Sequence, residues 1–203
     1  MMDNLEPLNT DGGRTVKMDV HYSAMCDETI AVAESLAASG KLPEALYMLL
    51  MLEKQTRNGS DIASTGRLLV AIVKLCFQAK EWALLNEHIF LLKNRKSQLE
   101  LAVRAMVGEC CIFIDQMPDE KTKLKLIQSL RIVTEGQISM VLDRVQLTQK
   151  LAQIKEDKGD VTGAESITQE LQVEAYDSMK TQEELIYEQF RLCLAMQFES
   201  ITS

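Results

Sequence analysis

Apolar residues recur at three- and four-residue steps along most of the chain from Tyr22 onward. The clearest stretch covers residues 61–79, where one side of a helix collects Ile62, Leu69, Ile72, Val73 and Cys76. Ser60 and Asp61 stand just before it, and either side chain can cap the start of a helix. A helix with one apolar side must pack against a partner, so the pattern predicts an all-α protein.

Two later stretches show the same kind of stripe: Leu124, Ile127 and Leu130 after Pro118, then Ile138, Val141, Leu142 and Val145. Helix ends are predicted at Gly40, Asn58-Gly59, Pro118, Gly136 and Gly159, because glycine accepts positive φ and proline starts a helix rather than continuing it. These breaks divide the chain into about nine helices.

A turn pattern repeats along the chain. A small residue, a charged residue and a helix start with Ala or Leu occur at 40–45, 79–84 and 159–164, with one copy missing near Pro118-Asp119. The spacing between copies is about forty residues, or about twice that where one copy is missing. Two antiparallel helices fill one unit of about forty residues. We therefore expect a right-handed α-solenoid of about five stacked hairpins, of the tetratricopeptide or HEAT type. A coiled coil would need heptads without these Gly and Pro breaks.

The ends of the chain differ in character. Residues 1–20, with Pro7 and the Asp11-Gly12-Gly13 turn signal, are predicted to be a flexible leader, and residues 21–203 to form the repeat array. The net charge of −8 lies in the last quarter, because residues 156–203 carry eleven acids and three bases. This acidity argues against nucleic acid as a ligand. No apolar run suggests a signal peptide or a membrane span, so a soluble protein that is not exported is expected.

Few residues offer reaction chemistry. His21 and His88 are the two histidines, and the five cysteines lack Cys-x-x-Cys spacing. Cys110 and Cys111 project about 100° apart on a helix, so they cannot clamp one metal ion. A Cys110–His88 pair is the one conceivable nucleophile and base. We expect no catalytic, cofactor-binding or metal-binding residues, and buried reduced cysteines.

The other singled-out residues have structural interpretations. Two basic clusters, Lys93, Arg95 and Lys96, and Lys121, Lys123 and Lys125, are expected to be solvated. Trp82 is expected to pack between successive hairpins. The methionines are expected to fill gaps between helices, although an exposed row could line a partner groove: Met48, Met51, Met106, Met140 and Met196.

Five segments together resemble, in order and spacing, the helical-repeat subunits of the proteasome lid that carry a PCI module. They are residues 52–57 (LEKQTR), 79–87 (AKEWALLNE), 130–136 (LRIVTEG), 159–174 from GDV to QELQVE, and 191–195 (RLCLA). The resemblance spans about residues 16–196.

This resemblance implies a non-catalytic scaffold of the 26S proteasome lid that serves ubiquitin-dependent protein degradation. Implied partners are other lid subunits, including the deubiquitinating one, and also the ATPase ring or the outer ring of the core particle. The chain is expected to stop before a C-terminal winged-helix (PCI) module and to be monomeric by itself. The alternatives are a helical-repeat subunit of the COP9 signalosome, a tetratricopeptide-like adaptor that binds peptides, and an enzyme that uses Cys110 with His88.

Overall fold

The structure, a computed structural model, describes residues 16–160 and, after them, Gly163, Ala164, Ser166, Ile167 and Gln169; side chains are described from Tyr22. Within this part the chain has no strand, and its elements are seven α-helices and two 3₁₀ turns. The helices are α1 Val16–Ala38, α2 Leu42–Asn58, α3 Ile62–Gln78, α4 Trp82–Lys93, α5 Glu100–Phe113, α6 Glu120–Thr134 and α7 Val141–Asp157. The 3₁₀ turns are Ile114–Gln116 and Ile138–Met140.

The helices alternate between two layers. The first layer contains α1, α3, α5 and α7 side by side, and the second contains α2, α4 and α6, of which α6 packs on α4 and α7. Helices of the second layer begin at Leu42, Trp82 and Glu120, a repeat of about forty residues. The predicted all-α solenoid is confirmed. Its expected later hairpins lie outside the described residues.

Local sequence explains where the helices begin. The Asp61 carboxylate accepts a hydrogen bond from the Ser64 N–H at 2.9 Å and caps α3. Asp119 caps α6 in the same way, accepting from the Thr122 N–H at 2.8 Å. The missing copy of the turn pattern, predicted near Pro118-Asp119, is therefore a real helix start. Residues 16–20 are already helical, so α1 begins before the expected end of the leader, whose other residues lie outside the described part.

The turn between α2 and α3 uses its glycine differently from the prediction. Gly59 has φ of −78°, and the left-handed residue is Ser60, with φ of 57°. A Cβ at position 59 would lie 3.3 Å from Cε2 of Tyr22, so the absent side chain makes room for α1. At Gly40, Gly136 and Gly159 the predicted positive φ is present.

The core runs without interruption through the array, and its largest fully buried side chains come from α2 through α6: Leu49, Leu68, Leu69, Ile72, Leu85, Ile89, Leu92, Met106, Ile114, Leu126, Ile127 and Leu130. Three predictions of buried positions were wrong. Ile62 in α3 is 44% exposed, Ile138 in the turn before α7 is 41% exposed, and Leu142 in α7 is 71% exposed. In α7 the buried apolar residues are Leu147 and Leu151, because the side that meets α5 and α6 is set by packing.

Small and aromatic residues join α3 to α5. A Cβ on Gly66 would lie 3.6 Å from Cα of Ala102, so the two backbones approach closely there. At the other end, the ring of Phe77 stacks on Phe113, with centroids 4.2 Å apart. Trp82 packs edge-on against Phe77 at 5.5 Å, within its own hairpin, and Phe113 makes the link to the next hairpin.

Candidate interaction surface

Cys110 and His88 do not have the surroundings of a catalytic pair. Cys110 is fully buried in α5, and burial raises the pKa of its thiol well above the usual value. A protonated thiol without solvent access is a poor nucleophile. The Nδ1 atom of His88 lies 2.9 Å from the carbonyl oxygen of Leu84, one turn earlier in α4. His88 is therefore a buried residue of α4 whose ring nitrogen makes a hydrogen bond within its own helix. His21 lies within α1.

The other described cysteines are similar. Burial raises the pKa of Cys76 to about 12 and that of Cys111 to about 11, and it also raises the pKa of Cys26. Across the described ranges, no group of three or more His, Cys, Asp or Glu side chains is placed to hold a metal ion. Cys26, Cys76 and Cys110 are buried and Cys111 is half-buried, and these four described cysteines form no disulfide with one another; Cys193 lies outside the described part.

Ion pairs connect successive helices of the first layer. Arg67 of α3 pairs with Asp27 of α1, and Lys74 of α3 lies 3.3 Å from Glu109 of α5. Arg104 of α5 is 3.9 Å from Asp143 of α7. Such exposed pairs add little stability. They do mean that these cationic side chains of the layer already have a carboxylate partner within the chain.

The exposed side of α5 combines bulky apolar residues with small ones. We call it the α5 face: Leu101, Arg104, Ala105, Gly108 and Ile112, which follow one another at helical spacing. Leu101 is 54% exposed and Ile112 is 58% exposed. Between them, a Cβ on Gly108 would have no atom within 4 Å. The α5 face lies between α3 and α7 and is an accessible surface with a bulky apolar side chain at each end.

The second layer also exposes apolar side chains, but they are more scattered. Tyr47 and Met51 of α2 are 65% and 47% exposed, Leu91 of α4 is 44% exposed, and Ile132 of α6 is 60% exposed. Met106 and Met140 are fully buried fillers, as predicted, and Met48 is half-buried. Met196 lies outside the described residues.

The two basic clusters have different surroundings. Lys121 and Lys125 are exposed on α6 and Lys123 pairs with Asp115 at 3.7 Å, so this cluster is a solvated surface as expected. In the other cluster Lys96 is exposed as expected, but the expectation was wrong for Arg95. Arg95 reaches a carboxylate oxygen of Glu53, a residue of α2 that is fully buried. Side chains distant in sequence determine this placement, so local patterns missed it.

Glu53 is the centre of a buried polar group that we call the Glu53 cluster: Glu53, Arg57, Arg95 and Gln98. The Arg57 Nε donates to Oε1 of Glu53 at 2.9 Å, and Arg95 donates to Oε2. The Gln98 amide donates to Oε1 at 3.4 Å. Arg57 also donates to the carbonyl oxygen of Lys96. The cluster joins α2 to the loop between α4 and α5. In the sequence, Glu53 and Arg57 stood out only as part of the LEKQTR segment. That segment was used for the family resemblance and did not predict a buried ion pair.

None of the helices in the described part is long and apolar enough to span a membrane. Two layers of stacked helices, with ion pairs between neighbouring helices, define a class of protein, the α-helical repeat proteins. The chain belongs to the PSMD12/CSN4 N-terminal family, whose sequence profile matches residues 44–199.

Curated relatives agree with this family. The chain is 41% identical over 180 residues to 26S proteasome non-ATPase regulatory subunit 12 of Dictyostelium discoideum, covering 88% of this chain and 40% of that protein. It is 42% identical over 161 residues to homolog A of the same subunit in Arabidopsis thaliana, covering 78% of this chain and 36% of that protein. It is 35% identical over 183 residues to 26S proteasome regulatory subunit RPN5 of Saccharomyces cerevisiae, covering 88% of this chain and 41% of that protein. The resemblance to lid subunits is confirmed, and the chain spans about two fifths of the length of these relatives.

Proposed function

We propose that the chain is a non-catalytic scaffold arm of the proteasome regulatory particle, in the lid, where it holds neighbouring subunits during ubiquitin-dependent protein degradation. The names of the relatives, proteasome regulatory subunits in three organisms, support the assignment to that particle. The observation that carries the scaffold role is the α5 face, which exposes Leu101 and Ile112 on a stacked helical array.

The partners follow from this assignment. The proposed neighbours are other lid subunits, including the deubiquitinating one, and in addition the ATPase ring or the outer ring of the core particle. The chain would act in the cytoplasm and nucleus, without a cofactor. By itself it is expected to be a monomer.

The α5 face is the surface that we propose for the contact with a neighbouring subunit. Leu101 and Ile112 stand at its two ends, and the gap at Gly108 lets a bulky side chain approach the helix backbone. Arg104, which belongs to this face, forms an ion pair with Asp143, and the neighbouring Glu109 forms one with Lys74. A partner therefore needs to supply apolar area rather than counter-charges.

A tetratricopeptide-like peptide adaptor fits less well. Such adaptors bind a peptide carboxylate through unpaired cationic side chains on one layer. In the first layer, Arg67, Lys74 and Arg104 are each paired with an acid of a neighbouring helix. The COP9 signalosome remains the second candidate, because the matching family is described for both PSMD12 and CSN4.

Affinity purification of the tagged chain from eukaryotic cells tests the proposal. Recovery of lid subunits is expected; recovery of signalosome subunits alone would favour the second candidate, and recovery of neither would refute both. A Leu101→Asp/Ile112→Asp variant should lose roughly tenfold or more of the recovered partner, since buried interface anchors carry most of the binding energy. The control is Ile132→Asp on α6, which changes an exposed apolar residue of the second layer in the same way. This control should recover as much partner as the unmodified chain. Circular dichroism must show unchanged helicity in all of them.

A further inference from the structure

The Glu53 cluster lies beyond the end of α4, the shortest of the three helices of the second layer. Helix α4 has 12 residues, whereas α2 and α3 have 17 each. After Lys93 the chain leaves the helix and crosses residues 53–57 of α2, where Arg95 meets Glu53 and the Lys96 carbonyl meets Arg57. The loop of residues 94–99 therefore forms a strap over α2.

We propose that the Glu53 cluster is a lock that clamps this strap to α2 and so couples the first hairpin, α1–α2, through the strap to the third, α5–α6. In helical-repeat proteins each repeat normally contacts only its immediate neighbours. Here a residue of the first hairpin bonds to the connection between the second and the third. The inference concerns the fold of the chain itself and stands independently of the proposed function.

The first step of the coupling is the burial of charge. Glu53 is fully buried, and each of its carboxylate oxygens accepts a hydrogen bond from a different arginine. A buried ion pair is a poor source of net stability, because removing charges from water costs about as much as their attraction returns. Its geometry is nevertheless demanding, since each donor must meet its acceptor. The cluster therefore acts by selecting one position of the strap.

The second step carries this position into α5. The Gln98 side chain donates to the carbonyl oxygen of Leu92 at 2.6 Å, and its own oxygen accepts from the Leu99 N–H at 3.0 Å. Leu99 is the N-cap residue of α5, and its carbonyl oxygen accepts from the Val103 N–H at 3.1 Å. The strap thus ends in the first turn of α5, so its position fixes where that helix starts.

Hydrogen exchange measured by mass spectrometry on the folded chain tests the lock. The first variant is Glu53→Gln, which keeps the size but removes the charge. The second replaces Glu53, Arg57 and Arg95 by methionine together, and it keeps the test decisive if the first does not fold. The matched control is Glu44→Gln, an exposed glutamate of the same helix, 3.8 Å from Lys41.

The expected result is local. In Glu53→Gln, the amides of residues 94–103 and of the C-terminal half of α2 should exchange on the order of several hundred-fold faster, the loss typical of a buried ion pair with one partner removed. Amides of α6 and α7 should keep the rates of the unmodified chain, as should all amides in Glu44→Gln. The triple methionine variant should have the same helicity as the unmodified chain and should unfold in one cooperative transition. The amides of its strap should nevertheless lose their protection from hydrogen exchange.

Two results would overturn the inference. One is wild-type protection of the strap in the triple methionine variant, which would mean that apolar packing alone holds it. The other is a uniform acceleration across all helices in both variants, which would make the cluster an ordinary contribution to global stability without a specific coupling.

Discussion

The backbone of Gly59, at the end of α2, lies directly against the aromatic ring of Tyr22 in α1, because an added Cβ would be 3.3 Å from Cε2 of that ring. The glycine has an ordinary φ of −78°, so the contact depends on the absence of a side chain and not on an unusual backbone conformation. The contact holds the first two helices together at the turn into α3.

A Gly59→Ala substitution should therefore destabilise the chain by about 1 kcal/mol, the lower end of the cost of overpacking a close contact. Urea denaturation measures the change. In a Tyr22→Ala background the same substitution should cost nothing further, and a double-mutant cycle isolates this coupling. Equal losses in both backgrounds would contradict the proposed contact.

Gly108→Ala serves as the opposite control. Gly108 lies inside α5, and a Cβ there would meet no atom within 4 Å. Alanine is a better helix former than glycine, so stability should rise by about 0.8 kcal/mol. A decrease in stability would contradict the open space that the structure shows at Gly108.

Removing the cap of α3 should weaken the fold at a central helix. Asp61→Ala deletes the carboxylate that accepts from the Ser64 N–H at 2.9 Å, and the expected loss is about 1 kcal/mol. Asp61→Asn retains the acceptor oxygen and should lose clearly less. Chemical denaturation of the two variants side by side measures the difference, and identical losses would argue against capping as the cause.

Acid should destabilise the chain through three exposed aspartates. A hydrogen bond from Lys150 lowers the pKa of Asp115, one from the Thr122 hydroxyl lowers the pKa of Asp119, and one from the Gly163 N–H lowers the pKa of Asp160. The folded chain then binds protons less readily than the unfolded chain, whose aspartates have pKa values near 3.8. Their stabilisation is complete above that value and is lost as the pH falls through the lowered pKa values.

Thermal unfolding between pH 7 and pH 2.5 measures this loss. Asp119→Asn keeps an acceptor for Thr122 but does not titrate, so its melting temperature should fall less steeply in acid. A variant with the same acid slope as the unmodified chain would exclude Asp119 from the effect.

The buried thiols should resist alkylation. With the pKa of Cys76 at about 12 and that of Cys111 at about 11, almost no thiolate forms at pH 7.5, and Cys110 is fully buried. Iodoacetamide followed by mass spectrometry should label these three sites slowly in the folded chain and quickly in urea. Rapid labelling of Cys110 in the folded chain would reopen the enzymatic alternative.

The helices and their order could be predicted from the sequence, because both depend on near neighbours. Asp61 caps α3 through a residue three positions later, and the predicted glycine breaks fall at observed helix ends. The family resemblance also came from ordered segments of the chain and was confirmed by the profile match at residues 44–199.

Tertiary structure decided which side of each helix is exposed and which charges are buried. The spacing of Leu142 placed it in the apolar stripe that was predicted to be buried, but packing of α7 on its neighbours left it 71% exposed. Arg95 sits among basic residues in the sequence, yet it pairs with Glu53, forty-two positions earlier. Local periodicity specifies helices because their hydrogen bonds span four residues. The α5 face and the Glu53 cluster depend on side chains that meet only when whole hairpins stack.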